Sequence, residues 1–97
     1  MEVQQTKGYK ELPGYSIEWG YATWSKNKKP EDKDLSIRNR YDSEDGGFNY
    51  AGSSEVPWVD FNRMIQESIR ESKFSKRELN SIINIAFKQF IKNLFKK

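Results

Sequence analysis

The sequence predicts an α+β domain, on three observations. Side chains alternate with a period of two over residues 15–25 and again over 35–41, as in half-buried strands. From Trp58 the apolar spacing switches to three and four residues, as in a helix. Ser75-Lys76-Arg77-Glu78 then forms a capping box ahead of a second helical stretch. Strands first and helices after argue for an antiparallel sheet. The expected architecture is a four-stranded antiparallel sheet followed by two helices. Residues 1–14 are expected as a flexible arm and 15–97 as one domain, with the sheet over 15–56, a helix over 57–72 and a C-terminal helix over 75–95.

Each element has its own reason. Residues 1–14 set Gly8, Pro13 and Gly14 among polar groups, which reads as a loose arm. In the first strand Tyr15, Ile17, Trp19, Tyr21 and Thr23 share one face, and Ser16, Glu18, Gly20, Ala22 and Trp24 share the other. Gly20 inside this run signals a bend, a bulge or the close approach of another backbone or ligand. The charged segment 26–34 is a loop, because Pro30 blocks regular pairing. In the second strand Leu35, Ile37, Asn39 and Tyr41 face one way, and Ser36, Arg38 and Arg40 the other. Asp42 to Gly47 reads as a hairpin connection, since Asp-Gly and Gly-Gly tolerate positive φ. Phe48, Asn49 and Tyr50 resume an extended segment, Gly52 permits a turn or bulge, and a short fourth strand leads to Val56.

Pro57 suits the first turn of a helix, where its missing N–H costs nothing. Trp58, Phe61, Ile65, Ile69 and Ser72 then form one stripe. The capped second helix carries a broad apolar face of Leu79, Ile82, Ile83, Ala86, Phe87, Phe90, Ile91 and Leu94. Its lysines gather toward the C-terminus, where they suit the helix dipole.

Composition bounds the chemistry. A chain of 97 residues buries roughly 60% or slightly more of its unfolded surface, so its core is modest. It has no cysteine and no histidine. Thiolate nucleophiles, disulfides, the usual zinc sites and imidazole-based triads are therefore excluded. The acidic groups Glu31, Asp32 and Asp34, and Asp42, Glu44 and Asp45, lie in turn-rich sequence without EF-hand spacing and read as solvated loop charges. Neither catalysis nor a cofactor is expected. No signal-peptide core or membrane-spanning run is found, so the expected location is cytoplasmic. Charge is uneven. Residues 1–72 hold ten Lys/Arg against thirteen Asp/Glu, whereas 73–97 hold seven against one.

The candidate binding residues are Arg38, Arg40, Tyr41, Trp24 and Lys26. Single-strand binders set cations along the phosphate backbone and rings under the bases. Arg38 and Arg40 suit phosphate, or are strand charges paired to Glu18 or Glu55. Tyr41 shares parity with Ile37, so strict alternation buries it, and a twist or bulge is needed to expose it. Trp24 lies opposite the Ile17 face and is the better exposed ring. Lys26, with Lys28 and Lys29, either gathers nucleic acid or belongs to a solvated mixed-charge loop.

The middle of the chain resembles the positive cofactor four family of single-stranded-DNA-binding coactivators and its bacterial and phage relatives. Ser36-Ile37-Arg38-Asn39-Arg40-Tyr41 resembles the family's Ile-Arg strand with its following aromatic. Asp42 to Phe48 resembles the acidic Gly-containing turn, Gly52 to Val56 the start of the short strand, and Asp60-Phe61 onward the helix. The resemblance covers about residues 35–72. It implies a curved sheet backed by a helix, a homodimer, and single-stranded DNA held on basic and aromatic side chains. Arg38 then takes a basic strand position and Tyr41 that of a base-stacking ring. The family's basic residues after the third-strand Gly are replaced here by Ser53 and Ser54, and the second helix is additional.

The function expected is sequence-tolerant binding of single-stranded DNA, or RNA, in transcription, replication or recombination, in a phage or mobile-element setting. The alternative is a protein-interaction module, a small inhibitor or adaptor, which the acidic balance of residues 1–72 favours. A third reading, membrane-surface attachment through 79–97, is outweighed by packing of that helix on the sheet or on a partner.

Overall fold

The computed structural model describes residues 1–49 and 54–96. Four strands, β1 (Glu2–Gly8), β2 (Tyr15–Tyr21), β3 (Leu35–Tyr41) and β4 (Val56–Pro57), precede two helices, α1 (Trp58–Arg70) and α2 (Lys76–Leu94). The strands pair in sequence order, each antiparallel to the next. This is the expected α+β layout of a four-stranded antiparallel sheet followed by two helices. The chain divides into two compact units, Met1–Arg63 and Met64–Lys97.

The strands are not all the expected ones. The N-terminal arm read over residues 1–14 is corrected by β1, which pairs with β2 from Glu2↔Tyr21 to Gly8↔Ser16. Its seven residues are all exposed and carry one apolar side chain, Val3. Backbone pairing, not a buried face, orders this edge strand, so no alternation reveals it. The strand read over 15–25 ends at Tyr21, and Thr23–Ser25 forms a 3₁₀ turn instead. Ala22 N–H still donates to the Asp34 carbonyl at 2.9 Å, in register with the ladder, and the chain turns just after it, where Ser25 N–H donates to the Ala22 carbonyl at 3.0 Å. The buried Ser25 hydroxyl then donates to the Ala22 carbonyl and accepts from Asp34 N–H. The loop 26–34 contains a second 3₁₀ turn, Pro30–Asp32.

Phe48 makes only an isolated bridge to Asp42, so Phe48 and Asn49 form no strand. Tyr50 and the turn at Gly52 lie outside the described residues. Gly46 turns the hairpin with φ 86°, as the Asp-Gly pair requires. Pro57 sits in β4 opposite Ser36 rather than inside the helix. At a sheet edge its missing N–H is equally harmless. Helix α1 closes at Arg70, two residues earlier than read, and Ser72 takes a positive φ of 56°. Helix α2 follows the sequence reading closely. Ser75 Oγ accepts from Glu78 N–H at 3.1 Å and Ser75 N–H donates to Glu78 Oε1 at 2.8 Å.

Register sorts the sheet into two faces. Tyr15, Ile17, Trp19 and Tyr21 share one with Leu35, Ile37, Asn39, Tyr41 and Val56. This aromatic face meets Phe61 around one shallow cavity and Trp58 around another. Ser16, Glu18 and Gly20 share the polar face with Ser36, Arg38 and Arg40. Among the described residues Ala22, 2% exposed, is the one fully buried hydrophobic side chain. The aromatic face is therefore half-covered rather than sealed.

One polar network ties Thr23, beyond β2, to Glu55, ahead of β4. Thr23 N–H donates to Glu55 Oε1 at 3.2 Å, Thr23 Oγ1 donates to Oε2 at 2.5 Å, and Ser36 Oγ donates to Oε1 at 3.3 Å. The Met1 ammonium lies 3.5 Å from the same carboxylate. Burial pushes the Glu55 carboxyl up, but these donors and that charge outweigh it and hold the pKa below the usual glutamate value. A lowered folded-state pKa stabilises the fold above the unfolded value and loses that contribution as pH falls through the folded value. The urea midpoint is therefore expected to drop as pH falls below about 4.3. In Glu55→Gln this component of the acid-side loss should be missing. Parallel pH profiles for the two proteins would refute the assignment.

Candidate nucleic-acid interface

The five candidate residues fall in three places. Arg38 and Arg40 project from β3 on the polar face, where β2 presents Glu18 to them. Arg38 Nε donates to Glu18 Oε1 at 2.7 Å, with the two side chains only 13% and 6% exposed. Arg40 lies 3.8 Å from the other Glu18 oxygen and donates through Nε to Asp42 Oδ1 at 3.1 Å. Its side chain is 31% exposed. The Phe48 ring faces both guanidinium groups, with centroid distances of 4.6 Å to Arg38 and 5.0 Å to Arg40. Cation–π attraction and the shared carboxylate thus hold both arginines in one cluster. Arg38 is committed within it, while Arg40 keeps solvent access.

Trp24 and Lys26 lie in and just after the 3₁₀ turn that follows β2. Trp24 is 49% exposed, and its indole N–H donates to Asp34 Oδ2 at 3.0 Å. The same carboxylate draws Lys28 to 3.6 Å. One hydrogen bond thus fixes the ring's edge while half its surface stays open. Lys26 is exposed and makes no ion pair among the described residues. It lines a cavity of about 340 Å³ with Tyr21, Thr23 and Lys33 among others. Lys33 sits 5.4 Å from the Tyr21 ring centroid and pairs with Glu2 at 3.3 Å.

Tyr41 lies on the aromatic face, at the other end of the sheet. It is 43% exposed without any bulge in β3, because it is the strand's last residue. Its ring packs 5.2 Å from Tyr15, which lies 5.9 Å from Tyr9. Six residue steps along β2 separate Tyr15 from Tyr21, about 20 Å at strand rise. The structure therefore joins Arg38 with Arg40, places Trp24 and Lys26 on one turn at the end of β2, and sets Tyr41 apart on the other face. Phe48, Lys33 and the Tyr9–Tyr15 pair were missed as site residues. Glu18 was legible as a partner for the arginines from its parity with Ser16 and Gly20. Phe48 was not, since only the closed hairpin returns it to β3.

Among the described residues no cluster of acidic side chains could hold a metal ion. No helix among them is long and apolar enough to cross a membrane. Fold and site together define a small α+β domain with a four-stranded antiparallel sheet and ring-plus-cation clusters at its rim and on its polar face. No protein-family model matches the chain, nor does any curated protein or solved structure compared with it.

Proposed function

We propose that this protein binds single-stranded DNA without strong sequence preference, as a homodimer in the cytoplasm, in a process that exposes single strands, such as transcription, replication or recombination. The observation that carries the reading is the turn after β2, where Trp24 offers an edge-fixed, half-open indole and Lys26, two residues on, an exposed cation with no ion pair among the described residues. Such a pair offers a base a stacking surface and a phosphate a counter-charge, and each stack is worth roughly 1–3 kcal/mol. Arg40, partly open on the polar face, supplies a second cationic point. Arg38 acts through Glu18 and Phe48 to hold that cluster in place.

A titration with oligo-dT, followed by tryptophan fluorescence at two salt concentrations, tests this. Quenching is expected, with affinity falling as salt rises because phosphate contacts release counterions. Trp24→Ala should weaken binding roughly 10- to 100-fold with little change in salt slope. Lys26→Ala should reduce the slope by about 0.7. No response to DNA or RNA oligomers at low salt would reject the reading.

A second reading has its own support. Glu18 and Asp42 offset the charge of Arg38 and Arg40 in their cluster, and residues 1–72 are net acidic. A protein-interaction module needs no open cations on the sheet, and a silent titration would favour it.

A further inference from the structure

Helix α2 has a complete apolar seam and buries none of its residues. Leu79, Ile83, Ala86, Phe90 and Leu94 recur at steps of four, three, four and four, the spacing of a helix-pairing stripe. Ile83, Phe87, Phe90 and Leu94 are each about three-fifths exposed. Arg77, Lys88 and Lys92 lie on the opposite side of the helix, where they stay in water if the stripe is covered. The Ser75 capping box fixes where the helix begins, so the stripe is a preformed surface.

We propose that α2 pairs antiparallel with the α2 of a second copy of this chain. This deepens the homodimer part of the reading above and does not depend on nucleic-acid binding. Three arguments select that occupant. The first is area. A large apolar side chain three-fifths exposed offers on the order of 100 Å², so Ile83, Phe90, Leu94 and the flanking Phe87 offer roughly 400 Å². With the less exposed Leu79, Ile82 and Ile91 the total is roughly 500 Å² per partner, matching the ~1,000 Å² in all that a specific interface needs. The second is charge. The last turns of α2 bear Lys88 and Lys92, with Lys96 just beyond, and no carboxylate, while the first turn mixes Lys76 and Arg77 with Glu78. A parallel pair would set two lysine-rich ends and two like dipole ends side by side, and an antiparallel pair separates both. The third is shape. Antiparallel symmetry about the middle of the seam places Ile83 opposite Phe90 and Leu79 opposite Leu94. The small Ala86 then falls at the crossing beside Phe87, so large side chains meet small ones.

The full-length protein tests this by sedimentation equilibrium across a concentration series, with disulfide trapping alongside. The chain has no cysteine, so single-cysteine variants report cleanly. Ala86→Cys should form a disulfide-linked dimer on mild oxidation, because the crossing brings the two copies within bridging distance. Leu79→Cys alone should not, but mixed with Leu94→Cys it should yield the mixed dimer. Ile83→Glu and Phe90→Glu should each raise the dimer dissociation constant by about 30-fold or more. All three tryptophans lie in Met1–Arg63, so their emission reports whether that unit stays folded in each variant. A monomer at every concentration overturns the proposal, as does a dimer indifferent to both glutamates. Preferential self-linking of Leu79→Cys overturns the antiparallel arrangement. The oligo-dT titration succeeds or fails separately from each of these outcomes.

Discussion

Gly20→Ala is expected to lower stability by about 3 kcal/mol or more and to free the start of β1. A Cβ at this position would stand 2.2 Å from the Glu2 carbonyl oxygen and 2.9 Å from Val3 Cα. These are backbone atoms, which cannot swing aside as a long side chain can. The close approach arises where β1 bulges between Val3 and Gln5 opposite this part of β2. Relief requires β1 to move off, losing the Val3↔Gly20 and Glu2↔Tyr21 pairings. Gly8→Ala is the matched control, because a Cβ there meets nothing within 4 Å. Urea unfolding should separate the two, with Gly8→Ala within about 0.5 kcal/mol of the parent. Amide hydrogen exchange should show faster opening of residues 2–5 in Gly20→Ala. Equal midpoints for the two variants would refute the steric argument.

Arg38→Ala is expected to cost about 3–5 kcal/mol, since it strips the closest counter-charge from a carboxylate that is almost fully buried. Arg40, at 3.8 Å and shared with Asp42, replaces only part of what is lost. Arg38→Lys should recover little, because an ammonium cannot reproduce the guanidinium's contacts with both Glu18 and the Phe48 ring. The double variant Glu18→Leu/Arg38→Met should recover most of the stability, because it removes both charges together. That variant also separates two roles for Arg38. Unchanged oligo-dT affinity in the folded double variant would assign Arg38 to the fold, and a large loss would assign it to direct phosphate contact. A stability loss under about 1 kcal/mol in Arg38→Ala would show that the pair is dispensable.

Much of the chain was readable because its patterns are local. Strand β3, the Gly46 turn, helix α1 and the capped α2 each announce themselves within a few residues. Alternation also placed Glu18 and the two arginines on one face before any pairing was known. Strand β1 was not readable, since seven exposed residues with one apolar side chain carry no signature of the partner that orders them. The end of β2 depended on Ser25, whose buried hydroxyl joins the Ala22 carbonyl to the Asp34 amide nine residues further on. Of the candidate site, the chemistry of each residue was legible and their grouping was not.

The sequence by itself determined that strands precede two helices, the two faces of β2 and β3 and the apolar stripe of α2, because side-chain periodicity follows from backbone geometry alone. Only the tertiary structure decided that Arg38 is held by Glu18 beneath Phe48, that Trp24 stays half-open with its indole N–H on Asp34, and that Tyr41 stands at the far end on the other face. Those outcomes depend on register, on where a strand breaks and on which loop returns. Each is set by contacts between residues distant along the chain, which no local pattern encodes.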